Sequence, residues 1–257
     1  MKKLKVLVGI VIAGLISLSS AGQTGSVQED LTKAQALYKE GKAEEATRIY
    51  LDLMGKYPRN REAVQGWLIV NMKRSSTGEL DAVKQLEELE KTYPENTGIL
   101  FYKTFIQAEY DQVDDMLKNS EKLVNVEPQD GLNWLMRGQV LEAVDRNDEA
   151  LSAYRKSTDL SPENPDSWQI KAGLLSKTGK FDEAISDYDR AIELSPEQPF
   201  FIYNRGCCYS LKGNKEKALA DLQKAVTIRP DLKAHAIKDA DFKSLWDDPD
   251  FKKITGQ

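Results

Sequence analysis

Histidine occurs once in this chain of 257 residues and cysteine twice, which removes most of the material from which active sites are built. His235 lies between Lys233 and Lys238, with no carboxylate partner or nucleophile at a recognisable spacing. No acid–base or nucleophilic constellation follows from it, and it reads as a surface residue of a terminal helix. Cys207 and Cys208 are adjacent. Neighbours on a helix point about 100° apart, so an ordinary disulfide would break the helix. A thiolate metal site lacks further ligands near them in sequence, and the pair is expected to be two small core or groove side chains. Neither a metal site nor a cofactor is expected.

Other chemistries fail on spacing. Gly173 to Lys180 has five residues between its glycines and Phe181 after the lysine, whereas a phosphate loop needs four and a Ser or Thr hydroxyl. Asp239, Asp241, Asp247, Asp248 and Asp250 lack the central glycine and late glutamate of a calcium loop. Asp248-Pro249 and Asn164-Pro165 instead read as helix starts, an Asx side chain accepting from orphan amides before a proline that has none to offer. The chain is read as non-enzymatic.

Strand alternation is also missing, while Ala, Leu, Glu and Lys favour helix. At 40% hydrophobic and 30% charged, the composition is that of a soluble, foldable chain. The apolar run Val6 to Ile16 falls short of the about 20 residues that a membrane span needs. It follows Lys2, Lys3 and Lys5 and precedes Ser19-Ser20-Ala21, the order of an export signal with small residues at the cut. Residues 1–21 are therefore expected to be a cleaved signal, with a mature chain from Gly22 that is periplasmic or secreted. An uncleaved anchor is the alternative. No cysteine follows the run, so lipid attachment there is not expected.

Losing the three lysines takes the formal charge from −5 to −8. An acidic mature chain suits neither nucleic acid, whose phosphates require a basic face, nor an anionic membrane surface.

What the chain does have is a period. Pro58, Pro94, Pro128, Pro162, Pro196 and Pro230 follow one another at 36, 34, 34, 34 and 34 residues. Small or modest residues recur in a first slot (Ala34, Val70, Thr104, Gly138, Ala172, Gly206) and a second (Ala46, Ala82, Met116, Ala150, Ala184, Ala218). Tyr50, Leu86, Tyr154, Tyr188 and Leu222 stand four residues after the second slot, one helical turn along the same face, and Ser120 breaks the pattern. Gly41, Gly179 and Gly213 mark the turn between two helices. This period resembles the tetratricopeptide repeat family over about residues 27 to 230, most closely in the last three copies.

The resemblance implies an all-α, helical-hairpin repeat solenoid, a right-handed superhelix in one elongated domain. Its units would cover about 27–60, 61–96, 97–130, 131–164, 165–198 and 199–232, within an array at 22–232. Residues 233–257 would cap the exposed end through Phe242, Leu245, Trp246 and Phe251.

In this family the first helix of each pair lines a concave surface. That assigns a protein- or peptide-binding groove to Trp67, Asn71, Phe101, Phe105, Leu135, Gln139, Gln169 and Tyr203. Leu31, Gln35, Gly173 and Cys207 take the equivalent positions elsewhere, and Arg74, Glu109, Glu142 and Lys177 rim the groove. Trp67, Phe101, Phe105 and Leu135 would be its aromatic and apolar centre. The competing assignment makes these four core, the irregular second and third copies twisting them inward. A lysine at these groove positions, by which family members hold acidic chaperone tails, is absent. The expected function is a non-enzymatic scaffold of the cell envelope serving assembly, chaperoning or secretion. A homomeric structural protein, or an enzyme or ligand carrier on the same scaffold, remains the alternative.

Overall fold

Helix follows helix in antiparallel pairs, and the turn chemistry explains where each stops. The computed structural model describes residues 25–72, 79–107 and 112–257, with the side chains of 72 and 79–82 outside that description. The expected signal segment 1–21 and the rim residues Arg74 and Glu109 lie outside the described residues, as does the side chain of Ala82.

The first pair is α1 (Gly25–Lys39) and α2 (Ala43–Lys56), followed by α3 (Arg61–Met72) with α4 (Glu79–Thr92) and α5 (Thr97–Gln107) with α6 (Val113–Val126). Next come α7 (Gly131–Ala143), α8 (Asn147–Leu160), α9 (Pro165–Lys177) with α10 (Phe181–Leu194), and α11 (Pro199–Leu211) with α12 (Lys215–Ile228). A short α13 (Leu232–Ala236), a 3₁₀ turn (Ala240–Leu245) and α14 (Pro249–Thr255) end the chain. No strand occurs among the described residues. The single domain expected from the period is divided: one compact unit ends at Arg146 and a second starts at Asn147.

Each of four repeat prolines is followed two residues later by a helix cap. Asn60 accepts from the Ala63 amide, Asn96 from Ile99, Asp130 from Leu132 and Asn164 from Asp166. A cap of this kind is worth about 1 kcal/mol, and repeated at successive boundaries it sets where the next pair begins. Within pairs the chain reverses through left-handed backbone at Gly41 (φ 82°), Gly179 (79°) and Gly213 (79°). Asp145 takes the equivalent conformation in the turn after α7, at φ 59°, which Asp tolerates better than most residues.

The small slots are where helices meet. Ala34, Ala46, Ala150, Ala172, Ala184 and Ala218 are wholly buried, and Val70, Thr104 and Met116 are buried in the less regular copies. Ser120, the break in the pattern, is buried as well. Its hydroxyl donates to the Leu117 carbonyl and accepts from Arg137, so the missing apolar contact is replaced by satisfied hydrogen bonds. In the second copy the closest approach falls at Gly66 rather than Val70: a Cβ there would sit 2.3 Å from the Tyr50 ring.

The end of the second unit is closed as expected. Phe242, Leu245 and Phe251 are buried, with Phe242 6.0 Å from Phe251 and edge-on to Tyr203 at 5.4 Å between centroids. Asp248 caps α14, accepting from Asp250 and Phe251 ahead of Pro249 at the first helical turn. Trp246 packs only partly against this cluster, and its indole N–H is buried without a hydrogen-bond partner. No described helix is long and apolar enough to cross a membrane.

Candidate functional site

The structure treats the expected groove residues unequally. In the first unit, Trp67, Phe101 and Leu135 are buried at 7%, 3% and 8% exposure, and Phe105 packs half-buried on the same core. The expectation that Trp67, Phe101 and Leu135 stand open in the free protein is corrected, while Phe105 keeps part of its ring exposed. α3 packs on α5 and α5 on α7, so apolar side chains directed at a neighbouring first helix are covered by it. Phe101 is held on two sides, edge-on to Tyr102 and beneath the Arg61 guanidinium 4.5 Å from its centroid.

Arg61 anchors a buried polar cluster that the sequence reading missed. Its guanidinium donates to Asn133 at 2.5 Å and pairs with Asp130 at 2.8 Å, while Glu127 accepts from Thr97 and Asn133. These residues come from three successive first helices and the turns before them, so the cluster locks repeat to repeat. Spacing alone carries no signal for it, because the partners are about 70 residues apart. Of the remaining groove residues in this unit, Asn71 is half-buried and donates to the Trp67 carbonyl, and Gln139 is buried.

In the second unit the assignment divides again. Tyr203 is buried rather than open, because the terminal segment lies on it: its hydroxyl donates to Asp239 at 2.8 Å, and His235 and Phe242 flank the ring. Burial and the Asp239 carboxylate together hold its hydroxyl in the protonated form. Cys207 is covered by the same segment. The fold supplies what the sequence reading found lacking near this thiol, bringing Asp239 and Asp241 to it across more than 30 residues. His235 is exposed as expected, yet its Nε2 lies 3.7 Å from Asp239, a carboxylate neighbour that reading did not identify.

Gln169 on α9 remains half-exposed, and Phe200 at the start of α11 is 43% exposed. Arg229 covers one face of the Phe200 ring at 4.6 Å. α9 and α11 are neighbours. One turn beyond Gln169 on α9 sits Gly173, where an added Cβ would meet nothing nearer than the Tyr188 hydroxyl at 3.8 Å. The strip thus offers an aromatic ring, an amide and a shallow gap over a phenol. A separate depression of about 690 Å³ opens among Asp182, Asp189, Tyr209, Lys212 and Lys217. There Lys212 pairs with Asp182, and Arg205 bridges Asp189 and Asp221.

Residues 135–199 and 201–232 match models of the tetratricopeptide repeat. Among solved structures, the chain is similar to one described as MamA, at a TM-score of 0.55 and 20% identity over 63% of this chain and 95% of that one. It is also similar to TTC0263, described as a thermophilic TPR protein in Thermus thermophilus, at 0.53 and 20% over 71% and 98%. A third is YrrB, described as a TPR protein with an unusual peptide-binding site, at 0.50 and 21% over 82% and 91%. No curated protein matches the sequence. The shared architecture is the helical-hairpin repeat fold, and the matched repeats support a tetratricopeptide repeat protein.

Proposed function

We propose that this chain is a non-enzymatic scaffold, exported to the cell envelope, that binds a peptide or protein segment along the first helices of its second unit. The observation that carries the reading is Phe200, a large aromatic side chain left 43% exposed on a helix that neighbours the one bearing Gln169 and Gly173. Aromatic anchors dominate binding interfaces because they bury much area at little conformational cost. The likeness to YrrB, whose description includes a peptide-binding site, supports this class of partner. Export rests on Lys2, Lys3 and Lys5, the short apolar run and Ser19-Ser20-Ala21.

Two measurements test the reading. Intact mass of the protein recovered from the envelope is expected to correspond to a chain from Gly22, and retention of Met1 to Ala21 would point to an anchor. Crosslinking in the native envelope, followed by mass spectrometry, is expected to capture one partner segment. Phe200→Ala with Gln169→Ala should abolish capture while circular dichroism and melting stay unchanged. Capture that survives the double variant would remove the binding surface from this strip.

A further inference from the structure

Three side chains with metal-binding atoms converge where the terminal segment crosses α11, a histidine stands beside them, and none of the four takes part in the proposed peptide surface. Cys207 Sγ and carboxylate oxygens of Asp239 and Asp241 all lie within 4.8 Å of one another. His235 stands beside one of these donors, outside the cluster itself, with Nε2 3.7 Å from Asp239 Oδ2. The donors come from two separate elements, the middle of α11 and the stretch from α13 into the 3₁₀ turn.

We propose that Cys207, Asp239, Asp241 and His235 form a site for one zinc-class divalent cation that fastens the terminal segment to α11. Zinc takes thiolate sulfur at about 2.3 Å and nitrogen or carboxylate oxygen at about 2.1 Å, so a tetrahedral site has ligand-to-ligand edges of about 3.4 to 3.6 Å. The Cys207 thiol donates to Asp239 Oδ2 at 3.8 Å and His235 Nε2 lies 3.7 Å from the same oxygen, each separation a few tenths longer than such an edge, and the cation would take the place of the thiol proton. The His235 separation exceeds a good hydrogen bond, so the imidazole and carboxylate are close without being directly joined.

Outer hydrogen bonds orient the donors. Asp239 Oδ1 accepts from the Asp241 amide at 3.1 Å, and Oδ2 accepts from the Tyr203 hydroxyl at 2.8 Å, the kind of partner that ligating carboxylates retain. Cys207 is buried, whereas the His235 side chain is 66% exposed, so in this proposal the imidazole completes the site by turning toward the cation from the solvent side. One sulfur, one imidazole and two carboxylates suit zinc or cobalt, while the thiolate disfavours calcium and magnesium. Cys208 is not a donor, since its Sγ is directed to Ser176 at 3.3 Å.

Cobalt(II) titration of the reduced, chelator-treated full chain tests this site. The expected result is a one-to-one complex with a thiolate-to-cobalt charge-transfer band and the intense visible bands of a four-coordinate ion, bleached by added zinc. Cys208→Ser should keep the band and Cys207→Ser should lose it, and Asp241→Asn should weaken cobalt binding at least tenfold. Zinc should raise the melting temperature of the wild type and leave that of Cys207→Ser unmoved, because a ligand stabilises only the state that binds it. Absence of the band at saturating cobalt, or its persistence in Cys207→Ser, overturns the proposal. Should Cys207→Ser fail to fold by circular dichroism, Asp241→Asn and His235→Ala decide: unchanged cobalt affinity in both overturns it.

Discussion

Replacing Phe101 by alanine separates a core from a groove by one measurement. The ring is 3% exposed on α5, set between the Tyr102 edge and the Arg61 guanidinium. Truncating a buried phenylalanine costs about 3 to 5 kcal/mol, the lost transfer free energy plus the cavity that remains. Arg61 keeps its bonds to Asn133 and Asp130, so the guanidinium holds its place and the cavity under it cannot collapse fully. The upper half of that range is therefore expected. At roughly 2 to 4 °C per kcal/mol for a chain of this size, the midpoint should fall by about 8 to 20 °C. Melting followed by circular dichroism reads the shift, and hydrogen exchange should show the loss in α3 and α5 amides. Phe101→Leu fills much of the space and should cost about 1 to 1.5 kcal/mol. A midpoint within about 2 °C of wild type, with partner capture lost, would refute the placement of Phe101 in the core and restore it to a binding surface.

The proline period and the small slots carried most of the fold. The helix pairs open at Arg61, Thr97, Gly131, Pro165 and Pro199, each three residues after a repeat proline. That is legible because a proline and an Asx cap act locally, and Asn60, Asn96, Asp130 and Asn164 recur with the prolines. The groove was less legible, since position on a helix says which way a side chain points and nothing of what comes to cover it. Phe101 and Phe200 stand on comparable first helices, yet one is covered and the other open. Tyr203 is hidden by residues more than 30 positions later, and Cys207 meets Asp239 and Asp241 only through the same return of the chain. Such contacts are tertiary and leave no period to read.

Asn164→Ala should cost about 1 kcal/mol in urea unfolding, because the Asp166 amide loses its acceptor. Phe242→Ala should cost about 3 to 5 kcal/mol and expose the end of the second unit, seen as dye binding and lowered solubility. Burial raises the Asp166 carboxyl above its usual range. The native state then holds that proton more tightly than the unfolded one, so the contribution to stability is greatest below pH 3.8 and falls as pH rises through the native value. Asp166→Asn should remove that fall, flattening stability just above pH 3.8, and an unaltered pH profile would reject the assignment.

The last prediction concerns Lys171 and Asp187, which are both nearly buried and pair at 3.1 Å. Burial, the largest cause, holds the Asp187 carboxyl above its usual range despite Lys171 beside it, with Glu183 adding to the rise. Asp187→Leu alone strands a buried ammonium and should cost about 3 to 5 kcal/mol, whereas adding Lys171→Met removes both charges and should return stability to within about 1 kcal/mol of wild type. The coupling, read from a double-mutant cycle in urea, is thus expected to exceed about 2 kcal/mol. A double variant as unstable as the sum of the two singles would mean that the pair packs and orients its surroundings, including the Trp168 ring 4.3 Å from the ammonium, rather than compensating its own burial.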